Sequence, residues 1–234
     1  MSNMILIFDT IYKMLQNNEP HKKIISFMDS TLFEVRIENI KKEIMSCQKC
    51  KLHECRHTPF TGNIRSDIIF VGEAPGTQEE KEGEPFVGPA GQLFNKMLAS
   101  AEKNIHPRWK RENVYITNVV KCIPRNNTES NRFTRQPEIE EIAKCKEILD
   151  KEIELIKPKI VVCVGAVAAN TLIHPTFKIS QEHGKLFGDE MKFVAIYHPS
   201  YILRRGEDTD EGIELKTEIW EDLIVINKYL EENV

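Results

Sequence analysis

The sequence predicts an α/β fold: a three-layer α/β/α arrangement around a central, mainly parallel four-stranded sheet. Three observations predict it. Short apolar runs at residues 67–71, 114–120, 159–164 and 193–197 alternate with segments whose apolar positions recur three and four apart. The third run, KIVVCV, is apolar without interruption, as in a strand covered on both faces. Three of the runs end in unusual polar sequence, GEAPG, TNVVKCIP and YHPSY. A parallel sheet brings such ends to one edge, where open α/β sheets bind their ligands.

Each element follows from local signals. Residues 1–45 read as a helical N-terminal extension, because ILIFDTIYKMLQ and EVRIENIKKEIM both carry helical spacing, with a break at NNEPH. Residues 46–234 form the α/β/α domain. Its first strand runs into a long loop, where Pro75 fixes φ and Gly76 permits a tight turn, before a helix at about residues 90–103. A basic loop at residues 124–136 follows the second strand, and Pro137 suits the first position of the next helix, which Pro158 ends. Gly165 opens a short helix, AVAANTLI; residues 184–192 form a hairpin around Gly188; and a last helix covers about residues 212–230.

The chain has 234 residues, 41% of them hydrophobic, enough for one well-filled core. No run is long enough to span a bilayer, and the start lacks the pattern of a signal peptide, so an intracellular protein is expected. The net charge of -4 argues mildly against a nucleic-acid binder. It is compatible with one if the acids gather in the tail at residues 207–234 and the Lys and Arg of residues 103–135 form a basic working face.

Six Cys without an export signal point to metal binding rather than disulfides. Cys47 and Cys50 have the C-x-x-C spacing that lets two thiolates reach one centre, and Cys122 and Cys145 can complete a set of four. Four thiolates suit zinc or an iron-sulfur cluster, and spacing does not separate the two. Cys163, among valines, reads as a core thiol, and Cys55 as a free one.

GEAPGTQEE, GEPFVGPAGQLF, TNVVKC and YHPSYILR, in that order and preceded by the C-x-x-C-K-L-H of residues 47–53, resemble the family-four, iron-sulfur uracil-DNA glycosylases. The resemblance covers roughly residues 45–205. It implies a parallel α/β/α domain and a 4Fe-4S cluster, with zinc the alternative, on Cys47, Cys50, Cys122 and Cys145. It implies excision of uracil from DNA without lyase chemistry, by an intracellular enzyme expected to be a monomer. It also implies that Glu73, Phe86, Asn118 and His198 build the uracil pocket, with backbone help from Ala74.

These residue types suit the task. A glycosylase holds a flipped base in a tight pocket. Phe86 offers a ring to stack on. Asn118 has both a donor and an acceptor, matching O4 and N3–H of uracil and mismatching cytosine. His198 can donate to O2, where charge collects as the glycosidic bond breaks. Better-known members of the superfamily carry an Asp where this chain has Ala74, so the water-orienting carboxylate is expected to be Glu73, with Glu79 second. Ile202 or Leu203 is expected to wedge into the base stack. Arg204 and Arg205, with Arg125, Arg132 and Arg135, are expected to meet phosphates.

The chain departs from the family pattern after Cys122. KCIPRNNTESNRFTRQPE replaces a shorter Pro-rich turn, and no His occurs between Cys122 and Cys145, which excludes the covalent uracil capture of a related subgroup. The competing reading is a catalytically weak DNA-binding or replication-accessory subunit of the same fold.

Overall fold

A computed structural model describes residues 10, 12–17, 20–126 and 134–233. The helical reading of the first segment holds where it is described, at residues 12–16 and in α1 (His21–Met45), with Pro20 at the break.

The sheet has five strands rather than four: β1 (Thr61–Gly62), β2 (Ile68–Gly72), β3 (Tyr115–Asn118), β4 (Ile160–Val164) and β5 (Lys192–Ile196), in the order β1-β3-β2-β4-β5. The four expected strands are parallel. The added β1 is two residues long and pairs antiparallel with β3. Thr61 and Gly62 have no periodicity to announce a strand, which is why the turn sequence conceals it. Gly62 has φ +89°, and a Cβ there would lie 2.0 Å from the Val114 carbonyl oxygen, so the close pairing requires glycine.

The helices are α2 (Thr77–Glu82), α3 (Pro89–Asn104), α4 (Ile139–Ile156), α5 (Ala166–Leu172), α6 (Ile179–Glu182), α7 (Pro199–Arg205) and α8 (Asp210–Glu232). Pro137 lies outside α4, because Glu138 is its N-cap: Glu141 folds back to accept the Glu138 N–H at 2.8 Å. Side-chain alternation along the buried strands divides the core in two. Ile68, Phe70, Ile116, Val162 and Val194 face Leu93, Phe94 and Leu98 of α3, Ile202 of α7, and Ile219 and Leu223 of α8. Ile69, Val71, Tyr115, Val161 and Cys163 face Ile37 of α1, Leu149 and Ile153 of α4, and Ala168 and Ala169 of α5. That is the three-layer α/β/α fold. Among the described residues, no helix is long and apolar enough to cross a membrane.

The strands are in register so that β2 ends beside β3, with Gly72 opposite Asn118. Beyond the sheet the Val119 and Val120 N–H groups still donate to the carbonyls of Gly72 and Glu73, at 2.9 and 3.0 Å. This places Glu73 and Asn118 side by side at the carboxyl edge.

Candidate active site

A cleft of about 1050 Å³ opens at that edge. Glu73, Ala74, Glu79, Phe86, Asn118 and His198 all line it. It is large enough for a nucleotide with adjoining backbone, since small-molecule sites span about 300–1,000 Å³.

Phe86 is the most constrained of these. It is one of two non-glycine residues with positive φ among those described, at 57°, a conformation that costs about 1–2 kcal/mol. The ring is 4% exposed and packs on Phe94 at 4.8 Å between centroids, which offsets that cost. It therefore plugs the core and floors the cleft at once. Its neighbours must be small: a Cβ on Gly91 would lie 2.0 Å from the Phe86 carbonyl carbon, and one on Gly72 would lie 2.3 Å from Asn118 Oδ1 and 2.7 Å from the Phe86 ring. Arg111 fixes the same loop from below, donating to the Pro85 carbonyl at 2.8 Å and to Asn95 Oδ1 at 2.6 Å.

Glu79 has a different role from the one expected. Its carboxylate accepts the N–H groups of Gly76 (3.1 Å), Val87 (3.0 Å) and Gly88 (2.8 Å). Both oxygens are thus committed to closing the long loop, which corrects its assignment as a water-orienting group. Glu79→Ala leaves these donors without their acceptor, and a loss of about 2–4 kcal/mol is expected in a chemical denaturation curve. Glu73 has no such commitment among the described residues. Burial raises its carboxyl above the ordinary range, opposed in part by Arg204.

His198 is the N-cap of α7, and its ring lies 6.0 Å from that of Phe86. Its Nδ1 accepts the Ser200 N–H at 3.1 Å, with the Ser200 hydroxyl at 2.7 Å. Nδ1 is therefore the acceptor nitrogen, and the proton of the neutral ring sits on Nε2. Burial, helped by the Arg204 charge, pulls the pKa down to about 4, so the ring is neutral at ordinary pH. Gly165, at φ +97°, makes room: a Cβ there would lie 2.9 Å from the His198 Cβ.

The expected DNA contacts are corrected in several places. Ile202 is fully buried between sheet and helices and cannot wedge into a base stack. Leu203 is half-buried against the same core and does not line the cleft. Tyr201, which sequence reasoning passed over, does line it, stacked on Tyr197 at 5.9 Å and an interplanar angle of 13°. Arg204 is exposed on the cleft rim, where it donates to Ser200 Oγ at 3.2 Å. Arg205 pairs with Glu211 at 3.0 Å. Arg125 is paired with Glu80, and Arg135 grips the buried Glu141 with both terminal guanidinium nitrogens, at 2.8 and 2.6 Å. Those two charges are neutralised within the protein, so neither is a free phosphate ligand. Arg132 lies outside the described residues.

Cys47, Cys50, Cys122 and Cys145 line a second, smaller pocket, together with Ile44, Val120 and Ile148. It shares no residue with the cleft. The Lys121 N–H donates to Cys145 Sγ at 3.3 Å, a contact that favours a sulfur anion. Among the described residues, no three His, Cys, Asp or Glu side chains converge tightly enough to bind a single metal ion. Four thiols lining one pocket are a ligand set that suits zinc or an iron-sulfur cluster. Cys55 does not line this pocket and sits against Glu80 and Arg125, and Cys163 is buried within β4.

Residues 59–224 match the model of the uracil DNA glycosylase superfamily. The chain belongs to the uracil-DNA glycosylase superfamily. Its relatives include the type-4 uracil-DNA glycosylase of Archaeoglobus fulgidus, 41% identical over 75% of this chain and 87% of that protein. The type-4 uracil-DNA glycosylase of Sulfurisphaera tokodaii is 47% identical over 73% of this chain and 69% of its own length. That of Thermotoga maritima is 37% identical over 82% and 91%. In this superfamily member, then, the strand-end residues singled out in the sequence share one cleft, and the cysteines share another pocket behind it.

Proposed function

We propose that this protein is a monofunctional uracil-DNA glycosylase. It flips uracil out of DNA, hydrolyses the N-glycosidic bond and leaves an abasic site for base excision repair. The observation that carries this reading is the meeting of Glu73, Phe86, Asn118 and His198 in one cleft, with the His198 proton held on Nε2.

The extruded ring stacks on Phe86. The Asn118 amide donates to O4 and accepts from N3–H, so cytosine, with its donor and acceptor reversed at these positions, is refused. As the bond from C1′ to N1 breaks, its electron pair passes to the uracil ring, and His198 Nε2–H donates to O2. Glu73 orients the water that attacks C1′, accepts its proton and offsets the positive charge on the sugar. Arg204 meets a phosphate. Tyr201, on the cleft rim, takes the wedging place first assigned to Ile202. Cys47, Cys50, Cys122 and Cys145 would hold a 4Fe-4S cluster, whose contribution in this reading would be to the fold. α1 belongs to an appended helical extension: it packs through Ile40 and Ile44 on Ile148 of α4, ahead of the superfamily match. The enzyme works as a monomer inside the cell.

The test is incubation with oligonucleotides carrying uracil opposite guanine, opposite adenine and unpaired, followed by alkali. Strand breaks at uracil only after alkali are expected. No break over a wide range of protein, together with equal binding to uracil-free DNA, would favour the accessory-subunit reading, which four intact pocket residues disfavour.

A further inference from the structure

Behind the base pocket lies a buried ion pair that the proposed chemistry leaves unused. Lys121 is 1% exposed and Glu152 is 0% exposed. The Lys121 ammonium donates to Glu152 Oε2 at 2.9 Å, to Thr117 Oγ1 at 2.5 Å and to the Asn118 carbonyl at 2.8 Å. All three of its donors are therefore used. The Lys121 backbone N–H donates to Cys145 Sγ. Cys145 and Glu152 stand two turns apart on α4, so one helix holds this lysine at both its backbone and its side chain. Buried ion pairs seldom stabilise a fold more than apolar residues of equal volume would. The position of this one, at the last residues of β3, suggests another use.

We infer that Lys121 is a positioning residue for base recognition: its ammonium, braced by Glu152, fixes the Thr117 side chain and the Asn118–Val119 peptide and so aims the Asn118 amide across Gly72 into the cleft. β3 ends at Asn118, and beyond it the Val119 N–H holds the Asn118–Val119 peptide to the Gly72 carbonyl from one side while the Lys121 ammonium holds the same peptide by its carbonyl from the other. Gly72 leaves Asn118 Oδ1 free to lie over the end of β2, where small rotations of the peptide move the amide directly.

This inference rests on the proposed uracil reading. The test compares the wild type with Lys121→Met/Glu152→Met, a double change that removes both charges together and leaves neither buried alone. Iron-sulfur absorbance of each purified protein establishes that the cysteine pocket is loaded. Inhibition by free uracil, and kcat and KM on uracil and cytosine oligonucleotides, are then measured. Inhibition by uracil and kcat on uracil DNA are each expected to weaken about tenfold, the effect of one misaligned hydrogen bond, with KM for DNA unchanged. A loaded double variant with wild-type inhibition and kcat would overturn the inference. Should that variant fail to fold, Thr117→Val, which removes one acceptor and no charge, carries the test. Weakening of uracil inhibition by about threefold is expected, and no change would overturn the inference. A wild type inactive on uracil defeats the functional reading instead, and the parallel wild-type assay tells the two failures apart.

Discussion

His198→Ala is expected to lower kcat by about 10²–10³ while leaving KM for DNA within a few-fold, as for removal of one preorganised donor to a developing anion. The expectation follows from the tautomer. The Ser200 N–H occupies Nδ1, so Nε2–H is already aimed and costs no reorganisation when charge reaches uracil O2. The ring works as a neutral donor, because burial holds its pKa near 4, well below the ordinary value of 6.5. Titration of His198 should therefore contribute no inflection near pH 6.5, and any limb there should be the same in His198→Ala. Single-turnover excision by wild type and variant measures the effect. A His198→Ala enzyme within fivefold of the wild type would remove this residue from the mechanism.

Glu73→Gln is expected to cost about 10²–10³ in kcat and also to change the shape of the pH profile. Burial raises the folded pKa of Glu73 above its ordinary value of 4.5. The carboxylate is the active form, so activity rises as pH climbs through that raised pKa and falls as the group is protonated below it. The acid limb of kcat/KM in the wild type must consequently lie above pH 4.5 and vanish in Glu73→Gln, whose residual rate is flat. An acid limb that survives unchanged in the variant would assign it to another group.

Both residues were legible in the sequence because backbone punctuation marks them. Gly-Glu-Ala-Pro-Gly and His-Pro-Ser each stop a strand abruptly, and parallel strands that stop at one edge share a site. The Glu79 loop clamp was also legible in retrospect, since Gly76 and Glu79 stand three apart as in a capping box. What the sequence hides is which side of a short helix faces out. In α7, Tyr201 and Arg204 lie three apart and face the cleft, and Ile202 between them turns into the core, although it has the apolar character a wedge demands. The charges were hidden for a related reason. Arg125 is neutralised by Glu80, 45 residues away in sequence, and Lys121 by Glu152, 31 residues away, and no local pattern reports a partner that distant.

The central claim is a pocket of fixed chemistry, and the structure of the protein with free uracil bound tests it most directly. The account predicts the ring flat on Phe86, the Asn118 amide paired with O4 and N3–H, and His198 Nε2 within hydrogen-bond distance of O2 while Nδ1 stays on Ser200. Uracil seated elsewhere in the cleft, or a His198 ring turned so that Nδ1 carries the proton, would contradict it.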